Sequence, residues 1–287
     1  MLDQANQLRQ LVRRGTRTGQ VRAPHWLTVC GGKGGVGTTT VALGIAAALA
    51  RSGRRVLLVD GDFGGPDLAA LTATDPRYTL VDVLASRRSV HEALEAGPHG
   101  MQLLLGPPRD AETVECSPAA QVRLIDQLRQ LGAHTDDIVV DAGASPSRAT
   151  RSFWQAADEL LVVMTGDPLA VTDSYAVLKQ LYTREPGQQV HAVVNLADAG
   201  GEATAVGARF AETCRRFLAL SLATVTTVPR DSLAGAPLAA RDAQPGSRSS
   251  RALEQWVERW LARCEPAALN STAVAASGCA AARERSH

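Results

Sequence analysis

The stretch Cys30-Gly31-Gly32-Lys33-Gly34-Gly35-Val36-Gly37-Thr38-Thr39-Thr40 constrains this chain more than any other. It joins an apolar run, Trp26-Leu27-Thr28-Val29, to the helical pattern Val41-Ala42-Leu43-Gly44-Ile45-Ala46. Strand, glycine loop and helix form the context that a phosphate-binding loop requires. Glycines let the backbone amides turn inward into an anion nest, and the helix N-terminus adds its partial positive charge. Such loops commonly read G-x-x-x-x-G-K-[ST]. Gly32 and Gly37 keep that spacing and Thr39 follows, but Thr38 stands where the lysine belongs. A different lysine, Lys33, lies early in the loop. Only two lysines, Lys33 and Lys179, occur among 30 basic residues, so an arginine at position 38 would read as compositional drift and a threonine does not.

The rest of the chain alternates strand and helix patterns. Expected strands are Trp26–Cys30, Arg55–Asp60, Met101–Leu105, Asp137–Asp141, Glu159–Met164, Val190–Asn195 and Ala223–Val228. Expected helices include Thr39–Arg51, Pro118–Leu131 (with Ser117 as N-cap), Ala170–Leu181 and Ala203–Leu218. This alternation predicts an α/β fold: a single doubly wound, mostly parallel sheet with helices on both faces. Such sheets bind ligands beyond the C-terminal ends of their strands, so Cys30, Asp60, Asp141 and Asn195 are expected to converge on one crevice. A short N-terminal helix with Leu8, Leu11 and Val12 on one stripe occupies residues 1–14. A polar linker follows over 15–23, the nucleotide-binding domain covers 24–264, and a small, polar, alanine-rich tail over 265–287 is expected to be disordered.

Acidic residues stand at two of these strand ends. Asp60 and Asp62, one residue apart at the mouth of a phosphate crevice, suit magnesium and water handling; solvated acids at an ordinary strand exit are the alternative. Asp141 ends an apolar strand and is followed by Ala142-Gly143-Ala144. Asn195 carries a donor and an acceptor that suit a base edge, and is as readily a cap or turn residue.

In this order the motifs resemble the MinD/ParA family of dimerising ATPases, whose deviant Walker A loop reads K-G-G-x-G-K-[ST]. The resemblance implies a P-loop fold, ATP/ADP and Mg2+ as ligands, and an ATP-dependent homodimer. Phosphate binding falls to Gly32, Lys33, Gly34, Gly35, Val36, Gly37, Thr38, Thr39 and Thr40. Lys33 matches the signature lysine that reaches the partner's nucleotide. Asp60 and Asp62 match switch I, with Asp60 near the metal shell and Asp62 on the attacking water. Asp141 and Gly143 match the start of switch II, so Thr39, Asp60 and Asp141 form the expected magnesium set. Asn195 with Pro229, Arg230 and Asp231 matches the segments that frame the adenine. Without the loop lysine, impaired ATP hydrolysis is expected, with binding retained or weakened.

The N-terminal Asp3-Gln4-Ala5-Asn6-Gln7-Leu8-Arg9-Gln10-Leu11 resembles the D-Q-A-x-x-L-R-x-L element of FlhG (FleN, YlxH) proteins, regulators of flagellar number and placement. There the element docks on FlhF, a signal-recognition-type GTPase, and stimulates its hydrolysis. Asp3, Gln4, Ala5, Leu8 and Arg9 are the corresponding partner-binding residues, with Gln4 implicated in the stimulation. The alternative is a terminal helix that packs on its own domain. Other family members partition DNA, and a nucleotide-free adaptor is a further alternative.

Composition bounds these readings. A net charge of +1 over 287 residues gives no reason to expect nucleic acid as partner. Five scattered cysteines argue against a disulfide framework or a zinc site and fit a reducing cytosol. No membrane-spanning run is expected. The family commonly ends in an amphipathic membrane-targeting helix. Here Leu253, Trp256, Val257, Trp260, Leu261 and Cys264 share one helical stripe, which is expected to pack on the core. The expected location is therefore cytoplasmic, with at most weak peripheral contact at the inner face of the cell membrane.

Overall fold

The computed structural model of the chain describes residues 23–65, 68–107, 117–144, 147–182, 188–232, 236–239 and 246–264. The expected N-terminal helix with its partner-binding residues, and the tail over 265–287, lie outside the described residues.

The strands form one eight-stranded sheet. They are β1 (His25–Gly31), β2 (Val56–Asp60), β3 (Glu95–Ala96), β4 (Gln102–Leu104), β5 (Asp137–Asp141), β6 (Glu159–Thr165), β7 (Gln189–Ala197) and β8 (Thr224–Pro229). The spatial order is β3-β4-β2-β5-β1-β6-β7-β8, parallel throughout except for the antiparallel β3–β4 pair. The central strands are buried along almost their whole length, with polar residues confined mostly to their ends, because helices cover both faces. Alternate residues divide accordingly. Leu27, Val29, Leu58, Val139 and Leu161 join one core, and Trp26, Cys30, Leu57, Ile138 and Leu160 join the other.

Helices α1 (Thr38–Arg51), α2 (Leu68–Thr72) and a C-terminal helix (Arg248–Cys264) cover the first face. The second is covered by α3 (Leu80–Leu84), α4 (Val90–Ala93), α5 (Pro118–Arg129), α6 (Arg148–Ala156), α7 (Ala170–Tyr182) and α8 (Glu202–Leu218). The C-terminal helix is thus α9. Ser117 caps α5 by accepting from the Ala120 amide, with Pro118 in the first turn. The expected continuation of α5 to Leu131 is tightened into a 3-10 turn over Gln130–Ala133. The short strand β3 and the helices α2, α3, α4 and α6 are additions to the expected elements. Strand β3 is two residues held only by β4. In α6 the apolar content is carried by Phe153 and Trp154 rather than by an extended stripe.

The apolar stripe of α9 packs inward. Leu253, Trp256, Val257 and Trp260 are each buried against the core that contains α1. The two indoles stack at 5.9 Å, and Trp256 donates to the Thr224 hydroxyl of β8. A stripe committed in this way is not free to enter a lipid interface. No helix among the described residues is long and apolar enough to cross a membrane. Trp256→Ala is expected to cost about 3–5 kcal/mol in equilibrium denaturation, as for other large core residues. A loss below about 1 kcal/mol would mean that α9 contributes little to the core.

Candidate functional site

Strand β1 lies between β5 and β6, and its C-terminal end is clamped by both. The Gly31 amide donates to the Gly143 carbonyl at 2.8 Å, and the Gly32 amide to the Val163 carbonyl at 3.3 Å. The loop then turns through Gly35 (φ +78°) and Gly37 (φ +86°), backbone conformations that favour glycine. Gly37 begins α1 with no side-chain cap. The first amides of that helix are therefore open to an anion, as the sequence pattern requires.

Two contacts hold the loop from behind. Gly32 passes so close to Ser174 of α7 that an added Cβ would lie 2.7 Å from the Ser174 backbone nitrogen. The Asn195 side chain donates through Nδ2 to the Val36 carbonyl at 2.8 Å. Asn195 is 4% exposed. It sits where the register of β7 against β8 shifts, next to Leu196 at φ +54°. Such an irregularity re-aims a side chain, and here the amide faces the loop. One N–H of the Asn195 amide thus braces the phosphate loop, and the second N–H and the carbonyl oxygen are not used in that contact.

Thr38 is buried, with its hydroxyl against Gly31. Its short side chain therefore underpins the loop instead of extending a charge over it. Lys33 points elsewhere as well: its Nζ meets Asp167 Oδ2 at 3.0 Å, with both side chains about two-fifths exposed. Asp167 is the functional neighbour that sequence reasoning missed. It lies just beyond the end of β6, on the strand adjacent to β1.

The acids converge as expected. Asp60 and Asp141 are register partners at the ends of β2 and β5, each 1% exposed. The Thr39 hydroxyl hydrogen-bonds Asp141, and the Gly143 amide donates to Asp141 Oδ1 at 3.2 Å. Burial, then the charge of Asp141, holds the Asp60 carboxyl well above the usual carboxylate range. Burial pushes Asp141 up to about 6 against the hydrogen bonds from Thr39 and Gly143, and the charge of Asp62 adds to the rise. Asp60 Oδ2 and Asp141 Oδ2 are both buried without a hydrogen-bond partner. Two adjacent buried carboxylates with one free oxygen each, beside a threonine hydroxyl, fit a divalent cation with an oxygen shell such as Mg2+.

Asp62 stands at the mouth. Its Oδ1 accepts from the Gly64 amide at 2.9 Å. It leans on Gly143, where an added Cβ would fall 2.3 Å from Asp62 Cγ. Gly143 has φ +62°, so both space and backbone conformation favour glycine there. A cavity of about 570 Å³ joins the parts, lined among others by Lys33, Gly35, Thr38, Thr39, Asp62 and Gly143.

The segments expected around a base meet at the neighbouring strand ends, where Ala197 pairs with Pro229 and the Arg230 amide donates to the Ala197 carbonyl. The Arg230 guanidinium pairs with Asp198, and Asp231 accepts from Ser249 of α9. Those two charged side chains are thereby engaged with protein neighbours.

The free carboxylates set a pH signature. A folded-state pKa above the unfolded value means that the native state binds the extra proton, so stability falls as pH rises through that range. In protein free of Mg2+ and nucleotide, these acids are expected to reduce stability progressively from about pH 4 to above pH 6. Asp141→Asn should remove much of that slope and raise metal-free stability at pH 7.5 by on the order of 2–3 kcal/mol. Denaturant titrations of both proteins at pH 5 and pH 7.5 measure it, and equal pH slopes would contradict the assignment.

With this geometry, the similarities to known proteins are specific. The family model CobQ/CobB/MinD/ParA nucleotide binding domain matches residues 27–255. The chain is 31% identical to the antiactivator FleN of Pseudomonas aeruginosa over 255 residues, 86% of this chain and 91% of that one. It is 33% identical to the septum site-determining protein MinD of Synechocystis over 172 residues, 59% of this chain and 63% of MinD. Among solved structures, MinD of Pyrococcus horikoshii complexed with Mg-ADP superposes with a TM-score of 0.67 at 23% identity, covering 82% of this chain and 95% of that one.

Proposed function

Since the chain belongs to the CobQ/CobB/MinD/ParA nucleotide-binding family, and within it to the FleN/FlhG type, we propose that it is a nucleotide-dependent regulator of flagellar number or placement whose ATP hydrolysis is impaired. The observation that carries this reading is the pairing of an intact phosphate nest with an uncharged Thr38 at the lysine position.

The loop's backbone amides beyond Gly32, whose own N–H is taken by Val163, bind the phosphates up to Thr40, and the α1 N-terminus adds its partial charge. Thr39, Asp60 and Asp141 would hold Mg2+, which supplies charge neutralisation on the phosphates when bound. Asp62, fixed by the Gly64 amide, orients water at the cavity mouth. Gly143, pressed against Asp62, links the segment after β5 to that water-handling acid. What is missing is the positive charge that stabilises the transition state. Lys33 is held by Asp167 of its own chain, so reaching a second copy requires that pair to open. The pair is partly exposed, and such pairs contribute on the order of 1 kcal/mol or less, so dimerisation can break it. The same analogy assigns residues 3–11 to an FlhF-type GTPase, with Gln4 stimulating hydrolysis there. Any contact with a membrane surface would be weak, because the α9 stripe is buried.

Thr38→Lys supplies the main test. Nucleotide binding should tighten roughly tenfold to a hundredfold, the scale of one or two charge-assisted hydrogen bonds. ATP turnover should rise by a factor on the order of a hundred. Wild-type turnover already equal to that of the lysine variant would sink the impaired-switch reading. Partner activation is tested separately with purified FlhF-type GTPase: stimulation by the full chain should disappear on Gln4→Ala while nucleotide binding stays unchanged. Full stimulation by that variant would remove the assigned role of the N-terminal element.

A further inference from the structure

At the opposite end of the strands from the phosphate loop, three potential metal ligands meet. His25 opens β1, Glu159 opens β6 and Cys264 closes α9, and one ligand atom from each lies within 4.8 Å of the others. His25 Nε2 is 3.4 Å from Glu159 Oε1, and Cys264 Sγ is 3.9 Å from the same oxygen. The first of these is longer than an ordinary N–H···O hydrogen bond and the second is a weak thiol contact. Both are close to the edge of a tetrahedral zinc site, roughly 3.3–3.8 Å for bonds of about 2.0–2.3 Å.

The other carboxylate oxygen is held firmly. Glu159 Oε2 takes the Trp260 indole N–H at 2.9 Å and a hydrogen bond from His191 Nε2. His191 is fixed in turn by the Thr224 hydroxyl at 2.9 Å on Nδ1. Ligating carboxylates are oriented by just such outer hydrogen bonds. Glu159 is 8% exposed at its side chain, so Oε1 is a buried anionic oxygen aimed at the imidazole and the thiol. Of the nearby arginines, Arg54 makes a two-pronged pair with Asp137, and Arg55 pairs with Asp136. A cavity of about 250 Å³, lined by His25, Trp260 and Cys264, opens beside the cluster and has room for water as a fourth ligand.

We propose that His25, Glu159 and Cys264 form a zinc-binding site, distinct from the nucleotide site, with water completing a tetrahedral shell. One imidazole, one carboxylate and one thiolate suit Zn2+ and exclude Mg2+, which prefers oxygen ligands throughout. The ion would tie the N-terminal ends of the central strands β1 and β6 to the end of α9, joining residues spread across most of the chain's length.

The experiment uses full-length protein stripped by chelator and kept in excess Mg2+. Titration with ZnCl2 should saturate at one equivalent and change tryptophan fluorescence, because the Trp260 ring lies 4.9 Å from His25 and stacks on Trp256. Co2+ in place of zinc should produce a thiolate-to-cobalt charge-transfer absorption. Cys264→Ser should abolish that absorption, and both Cys264→Ser and His25→Gln should weaken zinc binding at least about tenfold. The double variant Cys116→Ser/Cys279→Ser should leave binding unchanged. No charge-transfer band in the wild type, or a band that survives Cys264→Ser, would overturn the site. Near-UV circular dichroism establishes that each variant is folded; should Cys264→Ser not fold, zinc protection of Cys264 from alkylation in the wild type, read by mass spectrometry, takes its place, with protection supporting the site and unhindered alkylation overturning it.

Discussion

The backbone clamp on the end of β1 is the constraint from which the nucleotide site follows. Because β1 lies between β5 and β6, the Gly31 and Gly32 amides are held by Gly143 and Val163, one from each side. That clamp fixes where the glycine loop leaves the sheet and so where α1 presents its open amides. It also couples the loop directly to Gly143, the residue on which Asp62 leans. A phosphate nest built from backbone depends on backbone position, and here that position is set by ladder hydrogen bonds in the middle of a buried parallel sheet.

Electrostatics around the loop are unbalanced in a way that points to the missing ligands. Asp60 and Asp141 sit side by side, both buried, and each keeps an oxygen without a hydrogen-bond partner. Uncompensated buried carboxylates are costly, so their persistence fits a cation site. On the cationic side the loop is poor: Thr38 is neutral and Lys33 pairs with Asp167.

Much of this was legible along the chain. The seven anticipated strands appear within one or two residues of their expected limits, the central ones because buried parallel strands leave near-continuous apolar runs. The α9 stripe was readable as core because its apolar residues recur at helical spacing. Strand β3 was not legible, for two residues carry no periodicity. Asn195 was visible as a strand-end amide, but its direction depends on the register shift against β8 and on Leu196, which no local pattern encodes. The scattered cysteines read as arguing against zinc because spacing was the only available criterion. His25, Glu159 and Cys264 are far apart in sequence and meet only when β1, β6 and α9 pack together.

The sequence by itself determined the α/β alternation, the order of the phosphate loop and its acids, and the loss of charge at position 38, because these are written in local composition and short-range spacing. Tertiary structure alone decided that Lys33 pairs with Asp167, that Asn195 braces the loop and that His25, Glu159 and Cys264 converge. Each of those contacts joins residues more than a hundred positions apart, and their geometry is set by strand register and helix docking, which local periodicity does not specify.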